Sequence, residues 1–394
     1  MRRAESVYLY SRTMADHEPP RLDLPPPAMA APAAAAQFPR LVVVQTPDPQ
    51  QLGKYVLLSG AGIVVGREAG PEGFVVADRS LSRQHARITR DRGALRVTDA
   101  GSRNGTYRNC QRIESEVLHD GDLLRLGDTL LVCEEACPMT ELLARLDGQP
   151  QGASALFLVG ETGVGKEWLA QRIHERSGRP GGFISVSCGA LPLACAVADV
   201  FGGAERGERP SRASQLCAAA DGTLYLEDIT EAGPALQDAL AQVLRDPAKQ
   251  HGVQIVIASQ DAISEGTEPL PLRPELAQLL AALRIDVPPL RRRKAEVLSL
   301  AQTFARAEGH GLRMTTDAAE ALASWHFPYN LRELRTLVRA FIMTRRSRTD
   351  LDFGYLVERH PDLAQPAFER RHAGAHPTSA PTRRISPTRG VGAR

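Results

Sequence analysis

A chain of 394 residues fits two to three domains at roughly 150 residues each, and its 43% apolar content supplies each with an ordinary core, which excludes a wholly disordered or fibrous protein. Lys+Arg 48 against Asp+Glu 46 leaves a formal charge of +2, so no global field draws the chain to nucleic acid or to an anionic membrane. Six cysteines without paired metal-ligand spacing exclude a secreted disulfide framework, and no apolar run reaches the roughly 18 residues of a membrane span. The expectation is a soluble, cytoplasmic protein with reduced thiols and no membrane partner. Only four of the basic residues are lysines, Lys54, Lys166, Lys249 and Lys294, so each is a candidate for chemistry that arginine does not serve.

Residues 1–37 are rich in Pro and Ala (PPPAMAAPAAAAQ) and lack the large apolar side chains that offset ordering entropy, which predicts a disordered segment. Residues 38–136 carry short β-rich runs (LVVVQ, YVLL, GIVVG, HARIT, LRVTD, LLRLG, TLLVCEE) punctuated by Gly and Asp turns, the pattern of an all-β sandwich. Residues 137–290 change to strand, Gly loop and helix (ALFLVGETGVGKEWLAQRIHE), followed by the apolar runs FISVS, TLYLED and VQIVIAS, which predicts an α/β nucleotide-binding domain with a parallel sheet. Residues 291–364 have helical period throughout and predict an α-helical subdomain. Residues 365–394 return to Pro, Ser, Thr and Gly, with six arginines against one glutamate for a net +5, and read as a disordered basic tail.

Three loop signatures recur in the sandwich: Gly66-Arg67-Glu68, Ser82-Arg83-Gln84-His85, and Ser102-Arg103-Asn104-Gly105-Thr106-Tyr107. Each alone is the sort of tight turn that needs Gly or Asn. Together, in order and with the later DGDLLRLGD, they resemble a forkhead-associated (FHA) domain. The resemblance implies a phosphothreonine-reading site, because an arginine fork and a serine hydroxyl meet the charge and acceptor oxygens of a phosphate. It assigns Arg67 and Ser82 to the phosphate, Arg83 and Asn104 to the peptide backbone, and His85 to loop support. Cys110 departs from the family, which usually has Gly after Asn109.

Gly160-Glu161-Thr162-Gly163-Val164-Gly165-Lys166-Glu167 satisfies the core of a phosphate loop, in which backbone N–H groups and a helix N-terminus cradle phosphates and the lysine reaches the terminal ones. Glu167 stands where most such loops have Ser or Thr for magnesium. The form GExGxGKE resembles the AAA+ module of sigma-54-type transcriptional activators, and FISVSCGAL, DVFGG, DGTLYLEDI, VQIVIASQ, VPPLRRRK and FPYNLRELRTL follow in family order. The resemblance implies an α/β P-loop domain with an α-helical lid that binds ATP and Mg2+ and self-associates as an oligomer. It puts Glu227 and Asp228 at the Walker B pair, with Glu227 toward Mg2+, Gln260 at the first sensor, Arg273 at an intersubunit arginine position and Arg332 at the second sensor.

Four departures shape the functional expectation. The family writes Asp-Glu at Walker B and this chain writes Glu227-Asp228; the partner of Arg273 falls on Leu279; the stretch between Gly202 and Gly222 has no GAFTGA motif; and no helix-turn-helix can be read in HPTSAPTRRISPTRGVGAR. The expected protein is a bacterial signalling and transcription regulator that binds a threonine-phosphorylated partner and ATP, with weak hydrolysis. Sigma-54 polymerase and sequence-specific DNA are not expected partners of this chain by itself. Two other functions stay open: an ATP-hydrolysing sigma-54 activator, and a non-catalytic phosphopeptide adaptor.

Overall fold

The computed structural model describes residues 38–135 apart from 61 and 92, Met139, Leu142, Leu143 and Leu146, and residues 155–202, 214–260, 271–344 and 350–359. The N-terminal segment 1–37 and the tail 365–394 lie outside the described residues, as does most of the loop that replaces GAFTGA.

Eleven strands build the predicted sandwich. They are β1 (Arg40–Gln45), β2 (Tyr55–Leu57), β3 (Gly62–Gly66), β4 (Phe74–Val75), β5 (Ala86–Asp91), β6 (Ala94–Asp99), β7 (Thr106–Arg108), β8 (Gln111–Ile113), β9 (Ser115–Leu118), β10 (Leu123–Leu126) and β11 (Thr129–Glu134). One sheet runs β2-β1-β11-β10-β7-β8 and the other β4-β3-β5-β6-β9. Alternate residues of the first sheet, Leu41, Val43, Leu124, Leu126, Leu131 and Cys133, point inward against Val65, Ile88 and Val97 of the second. The remaining residues of the same strands, Val42, Val44, Leu123, Leu130 and Val132, are buried as well. Strands covered on both faces lose polar alternation, and this explains the unbroken apolar texture of LVVV and TLLV.

The α/β domain is a parallel sheet of order β13-β14-β15-β12-β16, made from β12 (Ala155–Val159), β13 (Phe183–Ser187), β14 (Thr223–Glu227), β15 (Gln254–Ser259) and β16 (Arg284–Asp286). Strand β16 is only three residues long, and its Arg-Ile-Asp sequence carries no apolar run to announce it. Both faces of the sheet are covered: Phe157, Leu224, Leu226, Ile255 and Ile257 pack on one side, and Leu156, Leu158, Tyr225 and Val256 on the other. Helix α1 (Lys166–Ser177) follows β12; α2 (Ala196–Phe201), α3 (Gln215–Ala218), α4 (Pro234–Arg245) and α5 (Pro274–Ala281) complete the domain. The functional loops therefore leave the carboxyl ends of neighbouring central strands, where open α/β sheets form their clefts.

The lid comprises α6 (Lys294–Ala307), α7 (Thr316–Ser324), α8 (Asn330–Thr344) and α9 (Phe353–Arg359), with β17 (Arg313–Met314) paired to β18 (Asp350–Leu351). The Thr315 hydroxyl caps α7 by accepting from Ala318 N. Helix α6 packs on β1, and α7 packs on β10 and β11, so the outer face of the first sandwich sheet joins the lid's apolar core. Among the described residues, no helix is long and apolar enough to cross a membrane.

Candidate functional site

Two sites are assembled on this frame. At one end of the sandwich the loops after β3 and before β5 are zipped together: Arg67 N donates to Ser82 O at 3.1 Å and Glu68 N to Arg83 O at 3.0 Å. Gly66 is required there because a Cβ would run into the Arg83 carbonyl oxygen. His85, fully buried, braces the loop from below. Its Nδ1 accepts from Ser82 N at 3.1 Å, so its Nε2 carries the proton and donates to Gly105 O at 3.2 Å. Burial lowers its pKa, opposed by the Gly105 bond and by Asp99 and Asp78. Its assigned role in loop support agrees with this geometry.

The zipped loops border a cleft of about 630 Å³ lined by Arg67, Arg79, Ser82, Arg83 and Arg103, with Glu68 the one carboxylate in the lining. Ser82 Oγ accepts from Arg103 N at 3.0 Å. Asn104 is not among the lining residues; its Nδ2 donates to Ser80 O at 2.7 Å and holds the neighbouring loop. Three of the four predicted residues thus meet at the cleft. Arg79 and Arg103 were missed, although both flank the motif serines in the sequence.

The second site lies between the α/β domain and the lid. Gly163 and Gly165 take φ of 75° and 99°, which opens the loop and turns it into α1. Lys166 is buried and its Nζ donates to Gly160 O at 2.7 Å and to Glu161 O at 3.2 Å. Burial lowers its pKa against the pull of Asp228 and Glu227, with Arg332 adding to the depression. Glu227 ends β14 and Asp228 follows in the left-handed region at φ 51°. Burial raises the Glu227 carboxyl, then Asp228 and Glu167 raise it further, against Lys166 and Arg332. Lys166, Glu227, Asp228, Glu167 and Arg332 therefore share one electrostatic neighbourhood.

Gln260 connects the parts. Thr162 Oγ1 donates to Gln260 Oε1 at 2.8 Å, and Gln260 Nε2 donates to Asp228 Oδ2 at 3.4 Å. Arg273 stands apart at the start of α5, paired with Asp238 at 3.0 Å. Leu279, which the resemblance sets opposite a second intersubunit arginine, packs partly buried against the domain core.

Sequence reasoning missed Arg291 and Asn330. Arg291 grips Glu161 in a fork, at 2.6 and 2.8 Å. Asn330 Nδ2 donates to Glu161 Oε2 and to Thr162 O, both at 3.0 Å, while its Oδ1 accepts from Leu290 N at 2.8 Å. Burial alone would raise Glu161; the Arg291 bond and then the Asn330 bond outweigh it and hold the carboxyl below its usual value. Their signal lay in VPPLRRRK and FPYN, read only as family landmarks. Lys166 reaches this site, whereas Lys54 and Lys294 donate to the backbone carbonyls of Val75 and Gly121.

For magnesium the residues present fit in a limited way. Among the described residues no three His, Cys, Asp or Glu side chains are grouped to hold a metal. Mg2+ binds through one or two carboxylates plus nucleotide oxygens, and Glu227, crowded by Asp228 and Glu167, is the carboxylate whose charge a cation would relieve.

A family model described as the sigma-54 interaction domain matches residues 132–285, and one described as the FHA domain matches residues 63–127. The anaerobic nitric oxide reductase transcription regulator NorR of Aliivibrio fischeri is 31% identical over 237 residues, covering 55% of this chain and 46% of the relative. The pathogenicity locus probable regulatory protein HrpS of Pseudomonas syringae pv. syringae is 31% identical over 205 residues, covering 48% of this chain and 68% of the relative. Among solved structures, NtrX from Brucella abortus in complex with ATP is similar at 24% identity, with 54% of this chain and 52% of that chain covered and a TM-score of 0.45. The chain spans about half the length of several curated relatives it matches. With both family models matched in order, and two thirds of a 31%-identical relative covered, the chain belongs to the sigma-54 interaction domain family and carries an FHA domain ahead of its AAA+ module.

Proposed function

We propose that the protein is a cytoplasmic bacterial regulator that reads phosphothreonine on a partner protein and binds ATP in an AAA+ module with slow hydrolysis, the two ligands biasing its self-association. The observation that carries this reading is the arginine cleft: Arg67, Arg79, Arg83 and Arg103 converge with Ser82 around one space that holds a single carboxylate, and a phosphothreonine supplies the matching charge of about −1.5 to −2.

On the nucleotide side, the loop from Gly160 to Lys166 would supply backbone donors, and Lys166 and Arg332 are the side chains that would meet the terminal phosphates. Mg2+ neutralises phosphate charge when bound, and Glu227 is the side chain that would hold it. Slow turnover follows from three features. The acid meant to polarise water, Asp228, is one methylene shorter than the family's Glu, and about 1 Å of misplacement can cost about a hundredfold in rate. Gln260 engages that same carboxylate. Leu279 supplies no guanidinium for the charge of the transferred phosphoryl group.

Calorimetry of the full chain against a library of threonine peptides tests the reading. Phosphorylated forms should bind, their plain forms should not, and Arg67→Ala should remove the difference. Equal affinity for phosphorylated and plain peptides across the library overturns the phosphothreonine role.

A further inference from the structure

The sandwich and the lid share one buried interface, and its details mark it as built. Asn109 and Cys110 form a two-residue hairpin turn between β7 and β8 with φ of 47° and 67°. Glycine is favoured at such a position because a side chain in the left-handed region is strained. Cys110 nevertheless stands there, is 2% exposed, and lies within the lid's apolar core with its Sγ 3.8 Å from Ser324 Oγ on α7. The departure from the family's glycine thus places a side chain between the two units.

Polar contacts fix the same face. Arg125 on β10 pairs with the buried Glu320 of α7 at 3.1 Å and lies over the Tyr107 ring at 3.9 Å. Lys294 Nζ at the start of α6 donates to Gly121 O at 2.9 Å, and Gln45 Nε2 donates to Met314 O at 3.3 Å. A charged pair with one member in each unit fixes how they dock, because any packing that shifts Arg125 away while Glu320 stays buried leaves a carboxylate without its countercharge.

The interface also reaches both ligand sites. Ser80 lines the cleft and its carbonyl is held by Asn104; Ser80 Oγ accepts from Asp128 N at 2.7 Å, and Asp128 O accepts from Thr316 Oγ1 at 3.3 Å in the first turn of α7. Gly127 is required at this crossing, since a Cβ would strike Ser80 Oγ. Helices α7 and α8 both pack in the lid core, and α8 opens with Asn330 on the phosphate loop, where Leu331 N also donates to Gly163 O at 2.9 Å.

We infer that the FHA sandwich is a fixed extension of the helical lid, so that phosphopeptide binding and nucleotide binding in one chain are energetically coupled through lid position. The coupling rests on the phosphothreonine reading; the docking does not. The lid is the element both ligands bias: nucleotide acts on it at Asn330 and Arg332, and peptide acts on it through the Ser80–Asp128–Thr316 contacts. Such coupling is reciprocal by thermodynamic necessity and is typically 5- to 150-fold.

Two measurements on the full chain test this. In Ser324→Cys, mild oxidation should form an intramolecular disulfide mapped by mass spectrometry between Cys110 and position 324; no such crosslink in a chain that still melts cooperatively overturns the docking. By calorimetry, saturating ATP should change the affinity for a phosphothreonine peptide by about fivefold or more, and saturating peptide should change ATP affinity by the same factor. The change should vanish in Lys166→Ala. Peptide binding that is identical with and without ATP overturns the coupling and leaves the phosphothreonine reading standing. A chain that crosslinks but binds no peptide under either condition removes that reading, and the coupling with it.

Discussion

Asn330 Nδ2 donates to Glu161 Oε2 across 3.0 Å, which ties the first residue of a lid helix directly to the phosphate loop. Asn330 is fully buried, has φ of 50°, and also serves Thr162 O and Leu290 N. Asparagine suits both demands, since it tolerates the left-handed region better than most side chains and offers a donor and an acceptor at once.

Removing that side chain should weaken nucleotide binding and the fold together. In Asn330→Ala the Leu290 N–H and the Thr162 carbonyl each lose a partner, at about 1–3 kcal/mol per buried group. The expected outcome is a clear fall in melting temperature and about a tenfold or greater loss of ATP affinity, equal to about 1.4 kcal/mol. Calorimetry and thermal melting check it; unchanged ATP affinity would show that the lid contact does not shape the nucleotide site.

His85 makes the sandwich sensitive to acid. Its folded pKa is lowered by burial, so its contribution is fully present above the unfolded value of about 6.5 and is lost as pH falls from there through the folded value. Protonation at Nδ1 would displace the Ser82 N–H and loosen the loop that borders the arginine-lined cleft. Melting temperature should drop as pH falls below about 6.5, and NMR titration of the His85 ring should report a pKa below the ordinary one. A normal His85 titration would remove this explanation.

Contiguous signals made much of this legible. The phosphate loop is eight consecutive residues and each FHA loop is a short string, so their chemistry is written locally. Glu161 reaches Arg291 and Asn330 only through the fold, across separations of 130 and 169 residues, and no local pattern announces such a meeting. The sandwich–lid interface left a trace that periodicity could have caught: LVVV and TLLV lack the polar alternation of a strand with one wet face. Cys110 was noticed as a departure from glycine, but its place against Ser324 depended on how two units pack.

The Arg125–Glu320 pair gives the interface an energetic signature. Arg125→Ala leaves the Glu320 carboxylate, 1% exposed in its side chain, without this guanidinium, and breaking a buried pair from one side costs about 3–5 kcal/mol. Replacing both by apolar residues, Arg125→Met with Glu320→Leu, should cost far less, because neither charge then remains to be buried. Urea titration of the single and double variants measures the contrast; a double variant as unstable as Arg125→Ala would show that the charges are not coupled.

ATP should bind with slow turnover, well under the median enzyme rate of about 10 per second. Lys166→Ala should abolish binding. The double exchange Glu227→Asp with Asp228→Glu restores the family order and should raise turnover, whereas either single exchange should not. Steady-state hydrolysis by the purified chain decides this: brisk turnover in the wild-type protein, lost in Lys166→Ala, would refute the weak-hydrolysis reading.

The last expectation is that this chain by itself does not drive open-complex formation at sigma-54 promoters. In the family it resembles, activation needs a loop that contacts the sigma factor and an ATP cycle that moves that loop. Between Gly202 and Gly222 the sequence has no Phe-Thr pair and instead carries Glu205, Arg206, Glu208 and Arg209, so charged residue types stand where the family has an aromatic and a hydroxyl, and charges are costly to bury in a contact. The Glu227-Asp228 order and Leu279 should weaken the cycle that would power such a loop. A partner subunit in a mixed ring could supply a missing loop or a missing arginine, which makes the purified single chain the decisive sample. In a reconstituted assay with sigma-54 polymerase, promoter DNA and ATP, this chain should leave the closed complex in place. Open complexes formed by it alone would show that motif loss does not abolish activation, and would restore the activator function.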